Sequence, residues 1–241
     1  MKKQNFFSAL AVCLTAIPTA ATENKKLYPS QFGQDKYMNE QFFKNKRNGV
    51  FVDIGAFDGI IGSNTSFFEN ELGWTGICIE PIPEIFEKLQ KNRSCICIKG
   101  CIADSDGPGT FLQICGIEVL SGLLAHYDPR HMARAERELR AHWRNGTLEK
   151  TQDKKIIEVD CYTLETILTT YNIYHIDYLS IDTEGNELSI LKSIDFEKFD
   201  IDIIDVENNY KNPEFKKFLE GKGYKFVKKM GVDEIYQKIK K

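Results

Sequence analysis

Val50–Gly59 reads VFVDIGAFDG. Four of its first five residues are apolar, an acid stands fourth, and two glycines follow at a G-x-x-x-G spacing. Apolar runs this short, bounded by glycine, are the signature of a strand buried in a parallel sheet. Glycine then lets the chain turn sharply and pass close to a neighbour or a ligand. Ligands of such sheets bind beyond the carboxyl ends of the strands, where the strand order switches. The segment therefore predicts a first strand over Val50–Ile54 and a ligand-binding loop over Asp53–Gly59. A strand–turn–helix that binds nothing has the same local pattern. The spacing departs from the G-x-G-x-x-G fingerprint of dinucleotide sites.

Downstream of this loop, strand and helix patterns alternate. Ser66–Leu72 reads as a helix whose S-x-x-E start, Ser66 and Glu69, forms a capping box. Gly76–Glu80 is a second strand, and Pro83–Asn92 is a helix with Pro81 and Pro83 at its start. Ser94–Ile102 reads as a third strand and Thr110–Ile114 as a short further one. Asp128–Asn145 is helical and rich in arginine. Lys155–Val159, Tyr178–Ile181 and Ile201–Val206 read as strands, and Thr163–Tyr171, Glu187–Ile194 and Pro213–Gly221 as helices. Tyr224–Lys228 and Glu234–Ile239 close the chain as an antiparallel pair. This alternation implies a mostly parallel sheet covered on both faces. The domain spans 49–241, with a helical insertion at about 120–150 and a helical lead-in at 23–48.

The 241 residues suit one α/β domain. A net charge of −3 lacks the basic bias of nucleic-acid binders. Lys2 and Lys3 precede an apolar run from Phe6 to Ile17 and small residues at Thr19–Ala21. That is the pattern of a secretory signal or short anchor over 1–22, with membrane association through it; a spanning helix needs ~20 apolar residues. Export or membrane attachment is one placement, and the cytoplasm is the other. Six cysteines follow Cys13. Cys78, Cys95 and Cys97 lie in strand-like runs, where cysteine acts as a small buried hydrophobe, so reduced thiols are expected.

Strand ends supply the chemistry. Glu80, in ICIEP, closes the second strand about 20 residues beyond the first glycines, where a carboxylate can take both ribose hydroxyls of a nucleoside. Asp104 follows the third strand and is a candidate for the adenine edge. Asp182 and Glu184, in DTEG, place two carboxylates at the same sheet edge. Isolated buried carboxylates are costly, so these are solvated or used. Glu207 and Asn208 follow the next strand. With Asp182 they form an oxygen-rich set that suits Mg²⁺. His126 and His131 are candidate bases. Arg130, Arg134, Arg137, Arg140 and Arg144 fall at spacings of three and four and share a helical face. They read either as a lid over an anionic acceptor or as a solvated face paired with Glu136 and Glu138.

Taken together, VFVDIGAFDG, ICIEP, IDYLSIDTEGNELSIL and IIDVENN resemble the FkbM-type methyltransferases, from about Gln31 to the C-terminus. The resemblance implies a class I Rossmann-like methyltransferase fold and S-adenosylmethionine as methyl donor. It implies a hydroxyl acceptor on a sugar, glycolipid or polyketide-like molecule. It assigns Asp53, Gly55, Gly59 and Glu80 to the cofactor, and Asp182 and Glu184 to the reaction. Two other readings stay open. One is a non-catalytic, membrane-attached binding or trafficking protein related to Star-type proteins. The other is a different Rossmann enzyme such as a nucleotide-sugar oxidoreductase. An exported methyltransferase would also lack its cytosolic donor, which sets the leader against the fold.

Overall fold

A computed structural model describes residues 27–149 and 153–240. The leader at 1–22 lies outside the described residues. Among those described, no helix is long and apolar enough to cross a membrane.

The strands are β1 (Val50–Ile54), β2 (Thr75–Glu80), β3 (Ile96–Lys99), β4 (Cys101–Ile102), β5 (Gly107–Ile114), β6 (Gly122–Leu123), β7 (Lys154–Tyr162), β8 (His175–Ile181), β9 (Asp200–Glu207), β10 (Tyr224–Met230) and β11 (Asp233–Lys238). The α-helices are α1 (Gln34–Met38), α2 (Ser66–Leu72), α3 (Pro83–Asn92), α4 (Pro129–Arg144), α5 (Leu164–Thr170), α6 (Glu187–Ser193) and α7 (Glu214–Gly221).

A seven-stranded sheet runs β3-β2-β1-β8-β9-β11-β10. Its β3-β2-β1-β8-β9 part is parallel. β11 runs antiparallel to both β9 and β10, as the closing pair predicts. The order switches at β1, which lies between β2 and β8, so the loops after these three strands open on one crevice. The central strands bury both faces. Ile54, Ile79, Leu179 and Ile204 pack with Leu168, Ile190 and Leu219 of α5, α6 and α7. Phe51, Cys78 and Tyr178 pack on the other face with Met38, Phe68, Trp74 and Leu89.

The expected third strand, Ser94–Ile102, is divided. β3 ends at Lys99, the chain turns at Gly100, and β4 pairs with β7 in a second, four-stranded sheet of order β4-β7-β5-β6. β5 and β7 pair antiparallel along their whole length, from Gly107↔Cys161 to Ile114↔Lys154. The helical insertion hangs from this hairpin. α4 packs Ala135 and Leu139 onto Leu112, Ile114 and Leu120.

The capping box at α2 does not form. Thr65 is the cap position with no side-chain cap bond, and Ser63 Oγ accepts from the Thr65 and Ser66 amides. Glu69 is drawn instead to Arg93 and to the amides of Ser94 and Cys95. Cys78, Cys95, Cys97, Cys101, Cys115 and Cys161 are all free thiols, as expected.

Candidate functional site

A cavity of about 470 Å³ lies at the carboxyl edge of the large sheet, within the ~300–1,000 Å³ range of small-molecule sites. Asp53, Gly55, Glu80, Asp182 and Glu184 all line it. Gly59 and Asp104 do not.

Gly55 sits where the loop leaves β1, at φ +83°. Its amide and that of Ala56 both donate to the Ile79 carbonyl at 3.0 Å, which ties the turn to β2. A methyl group on Gly55 would sit 2.9 Å from the Asp182 carbonyl carbon. The glycine is thus demanded by the neighbouring strand end as much as by a ligand. Gly59 faces α3. A Cβ there would meet Arg93 Cγ at 2.6 Å and Leu89 Cδ1 at 2.7 Å. Its smallness serves loop-to-helix packing.

Asp53 is buried and accepts a hydrogen bond from Thr65 Oγ1 at 2.6 Å. Arg93, absent from the sequence reading, organises this wall. Its guanidinium is buried against Glu69 and donates to Gly59 O, Ser63 Oγ and Thr65 Oγ1. Burial raises the Asp53 carboxyl, against the lowering pull of Arg93.

Glu80 stands at the end of β2. One carboxylate oxygen accepts from the Phe57 amide at 3.1 Å and the other from Ile82 at 2.9 Å. Each oxygen keeps a further lone pair. Burial pushes Glu80 up to about 7, against these two donors. Asp104 is exposed and, among the described residues, accepts only from Ser105 Oγ. The division of the third strand sends Cys101–Ile102 along the cavity and carries Asp104 past it.

Across the crevice, Asp182, Glu184 and Glu207 bring carboxylate oxygens within 4.8 Å of one another. Glu184 holds a left-handed backbone at φ +57°, an uncommon state for a residue other than glycine. Asp182 opens on the cavity. Enclosure by protein atoms, then the charges of Asp233 and Glu187, raise it to about 8, while a hydrogen bond from Glu207 favours its charged form. Burial first and Asp182 next hold Glu207 and Glu184 well above the carboxylate range. Glu187 is spent on structure, accepting from Thr183 N, Thr183 Oγ1 and Gly185 N at 2.9–3.0 Å. Asn208, expected beside Asp182, is turned away. Its amide bonds Asn212 and Glu234.

The insertion completes this wall. His131 is buried on α4, with Nε2 3.3 Å from the Leu120 carbonyl. A carbonyl only accepts, so Nε2 carries the hydrogen. The other ring nitrogen lies 3.3 Å from Glu184 Oε2 and 3.4 Å from the Tyr210 hydroxyl. Burial, then Arg134, lower the His131 pKa. Arg134 lines the cavity 3.8 Å from Glu184. The remaining arginines face outward. Arg137 and Arg140 pair with Glu138 and Glu136, and Arg130 pairs with Asp128 over the Tyr210 ring.

The methyltransferase FkbM domain matches residues 53–239. The chain belongs to that family, one of S-adenosylmethionine-dependent methyltransferases with the class I Rossmann-like fold. A search of curated proteins gave no match. Similar solved structures include the fibrillarin of Aeropyrum pernix in complex with natively bound S-adenosyl-L-methionine, at 11% identity over 88% of this chain and 75% of that one, with a TM-score of 0.45. Methyltransferase FkbM from Methylobacillus flagellatus KT is similar at 11% identity and a TM-score of 0.43 over 84% of this chain, which spans 50% of that structure. Precorrin-6y C5,15-methyltransferase from Geobacter metallireducens GS-15 is similar at 12% identity over 88% and 89% of the two chains, with a TM-score of 0.42.

Proposed function

We propose that this protein transfers the methyl group of S-adenosylmethionine to a hydroxyl oxygen of a sugar, glycolipid or polyketide-like acceptor. The observation that carries the reading is one cavity with two unlike walls. A nucleoside wall holds Gly55 and Glu80, and an acidic wall holds Asp182 and Glu184.

The residues present fit the donor. Glu80 has both carboxylate oxygens oriented by backbone amides and keeps lone pairs for the two ribose hydroxyls. The buried amide oxygen of Asn64, which lines the same cavity, has no partner among the described residues and suits the ammonium of the methionine portion. Bound donor supplies an electrophilic methyl on a positively charged sulfur, and that charge favours an ionised carboxylate nearby.

Asp182 takes the acceptor's proton as the new oxygen–carbon bond forms and the sulfur–carbon bond breaks, the electron pair staying on sulfur. Glu184, held by His131, Arg134 and Asn209, orients the hydroxyl. Alignment of the reacting atoms lowers much of the barrier. All-carboxylate donors suit a hard cation such as Mg²⁺. However, Asn208 is unavailable and Glu184 already has the Arg134 guanidinium beside it, so no step is assigned to a metal.

Calorimetric titration with S-adenosylmethionine tests the donor site, and absence of binding at millimolar ligand would sink the enzyme reading. An acceptor screen with methyl-labelled donor tests the transfer. Asp182→Asn should then lower kcat by roughly 10²–10⁴-fold, the usual weight of a general base.

A further inference from the structure

Phe32, Ile61 and Val119 line the cavity and are 42%, 69% and 51% exposed. Single exposed apolar side chains are ordinary. Three that converge on one cavity from distant parts of the chain mark a surface that a ligand covers. The backbone holds each of them in place. The Ile60 and Ile61 amides donate to Asp58 Oδ1 at 2.9 and 2.8 Å. The Phe32 amide donates to Gln34 Oε1 at 2.8 Å, and the Gln34 amide donates to Asp233. The Phe32 ring lies on Gly231, where a Cβ would meet its Cε2 at 2.5 Å. Val119 lies in the one-turn helix Glu118–Leu120, closed by the Leu120 amide on Ile117 O at 2.9 Å and the Ser121 amide on Glu118 O at 3.0 Å.

These residues border the acidic wall. Val119 precedes Leu120, whose carbonyl lies 3.3 Å from His131 Nε2, and His131 meets Glu184 with its other nitrogen. Phe32 abuts the β10–β11 turn at Gly231. The next residue, Val232, lines the cavity and accepts from the Asn208 amide at 3.0 Å, one position past Glu207. Ile61 precedes Gly62, which bridges to Ser30 in the same lead-in as Phe32. The carboxylates of Asp182 and Glu184 suit a hydroxyl, and the border beside them suits hydrocarbon. We infer that the acceptor is amphipathic: its hydroxyl enters between Asp182 and Glu184, and a hydrocarbon chain or ring lies across Phe32, Ile61 and Val119. A free sugar leaves that apolar surface bare. The inference rests on the methyl-transfer reading above and narrows its acceptor. An acid, Glu118, stands beside Val119 in the same lining, which favours a single amphiphile over the anionic bilayer that basic borders select.

The test is the dependence of binding on chain length. Hexyl, octyl and decyl β-D-glucopyranoside share one hydroxylated head and carry a growing hydrocarbon chain. Titrated as monomers into the full chain saturated with S-adenosyl-L-homocysteine, they should bind about 2- to 4-fold more tightly per added methylene, as its burial predicts. The double variant Ile61→Ser, Val119→Ser should flatten that series. A melting curve without ligand reports whether the variant is folded; if it is not, the series on the wild-type chain decides alone. Titration with S-adenosyl-L-homocysteine reports the donor site by itself, and no binding there would overturn the methyl-transfer reading and the inference together. With that ligand bound, absence of glucoside binding or a series that does not steepen with length would overturn the inference alone. So would a slope that survives in the folded double variant. A flat series together with co-sedimentation on phosphatidylcholine vesicles would assign the border to a bilayer and overturn it as well.

Discussion

Gly55→Ala is the sharpest perturbation of the donor loop, because the structure separates its two costs. The first is conformational. Gly55 has φ +83°, and a left-handed backbone costs a residue with a Cβ about 1–2 kcal/mol. The second is steric. The new methyl would lie 2.9 Å from the Asp182 carbonyl carbon and closer still to its oxygen. Neither strand can yield cheaply. Asp182 N donates to Ile54 O at 2.9 Å, and Gly55 N is tied to Ile79 O at 3.0 Å. Overpacking of this kind costs about 1–3 kcal/mol. The combined loss is about 2–5 kcal/mol, a large part of the ~5–15 kcal/mol that holds a domain together. For a chain of this size about 3 kcal/mol lowers Tm by roughly 6–12 °C. Gly62 supplies the control. It also has positive φ, +70°, but nothing lies within 4 Å of its would-be Cβ, so Gly62→Ala carries only the first cost. Urea unfolding of both variants should place Gly55→Ala below Gly62→Ala by about 1–3 kcal/mol. Equal losses would show that the Asp182 backbone does not press on the loop, and the close approach of β1 and β8 ends would have to be abandoned.

Arg93→Leu should destabilise the fold by about 3–5 kcal/mol in urea unfolding, because Glu69 and Asp53 stay buried without their cation; Arg93→Lys should recover only part, since one ammonium cannot reach Glu69, Ser63 and Thr65 as the fork does. Glu80 sets a pH dependence. Its folded pKa of about 7 lies above the ordinary 4.5, so its favourable contribution is complete below about 4.5 and is lost as pH rises through 7, an effect on the order of 3 kcal/mol. Glu80→Gln should remove that slice, and an unchanged difference in unfolding free energy between pH 5 and pH 8 would refute it. Arg134→Ala should raise the acceptor KM several-fold once an acceptor is found, while Arg137→Ala, which pairs only with its exposed neighbour Glu138, should leave it unchanged; equal effects would refute the inward orientation of Arg134.

Much of the fold was legible because the central strands are buried on both faces and read as unbroken apolar runs. Val50–Ile54 and Pro83–Asn92 have the expected bounds. The misreadings are places where a distant partner overrides a local rule. Glu69 has the spacing of a capping residue, but Arg93 offers it a buried ion pair. Ser94–Ile102 carries cysteine and isoleucine on both sides of Lys99 and Gly100 and so reads as one strand, yet its last two residues answer to β7, some 60 positions away. Asp104 has the right chemistry for an adenine edge but lies off the cavity, because a change of sheet at Gly100, four residues earlier, redirects the chain. Asn186 shows the same override at the start of α6. Within DTEGNE it looks like an ordinary helix cap, and only the Ile102 carbonyl, more than 80 residues upstream, shows that its amide faces elsewhere.

The two walls of the cavity differ in how they are built, and this explains why the donor was legible and the acceptor was not. The donor wall comes largely from one stretch, Asp53 to Ile102, where strand ends follow one another at the spacing of a βα repeat. The acidic wall takes Asp182 and Glu184 from the turn after β8, Glu207 from β9, and His131 and Arg134 from an insertion carried by a separate sheet. Within α4 the division of labour follows helical geometry. His131, Ala135 and Leu139 recur every four residues and form its buried stripe. Arg134 borders that stripe and reaches the cavity, whereas Arg130, Arg137 and Arg140 lie on faces turned to solvent. Of the five arginines at helical spacing, Arg134 is the one that lines the cavity. The register of α4 on β5 decides which one, and that register is set by Leu112 and Ile114 rather than by the arginines themselves. A change at those two apolar positions should consequently alter acceptor affinity without touching any residue that meets the acceptor.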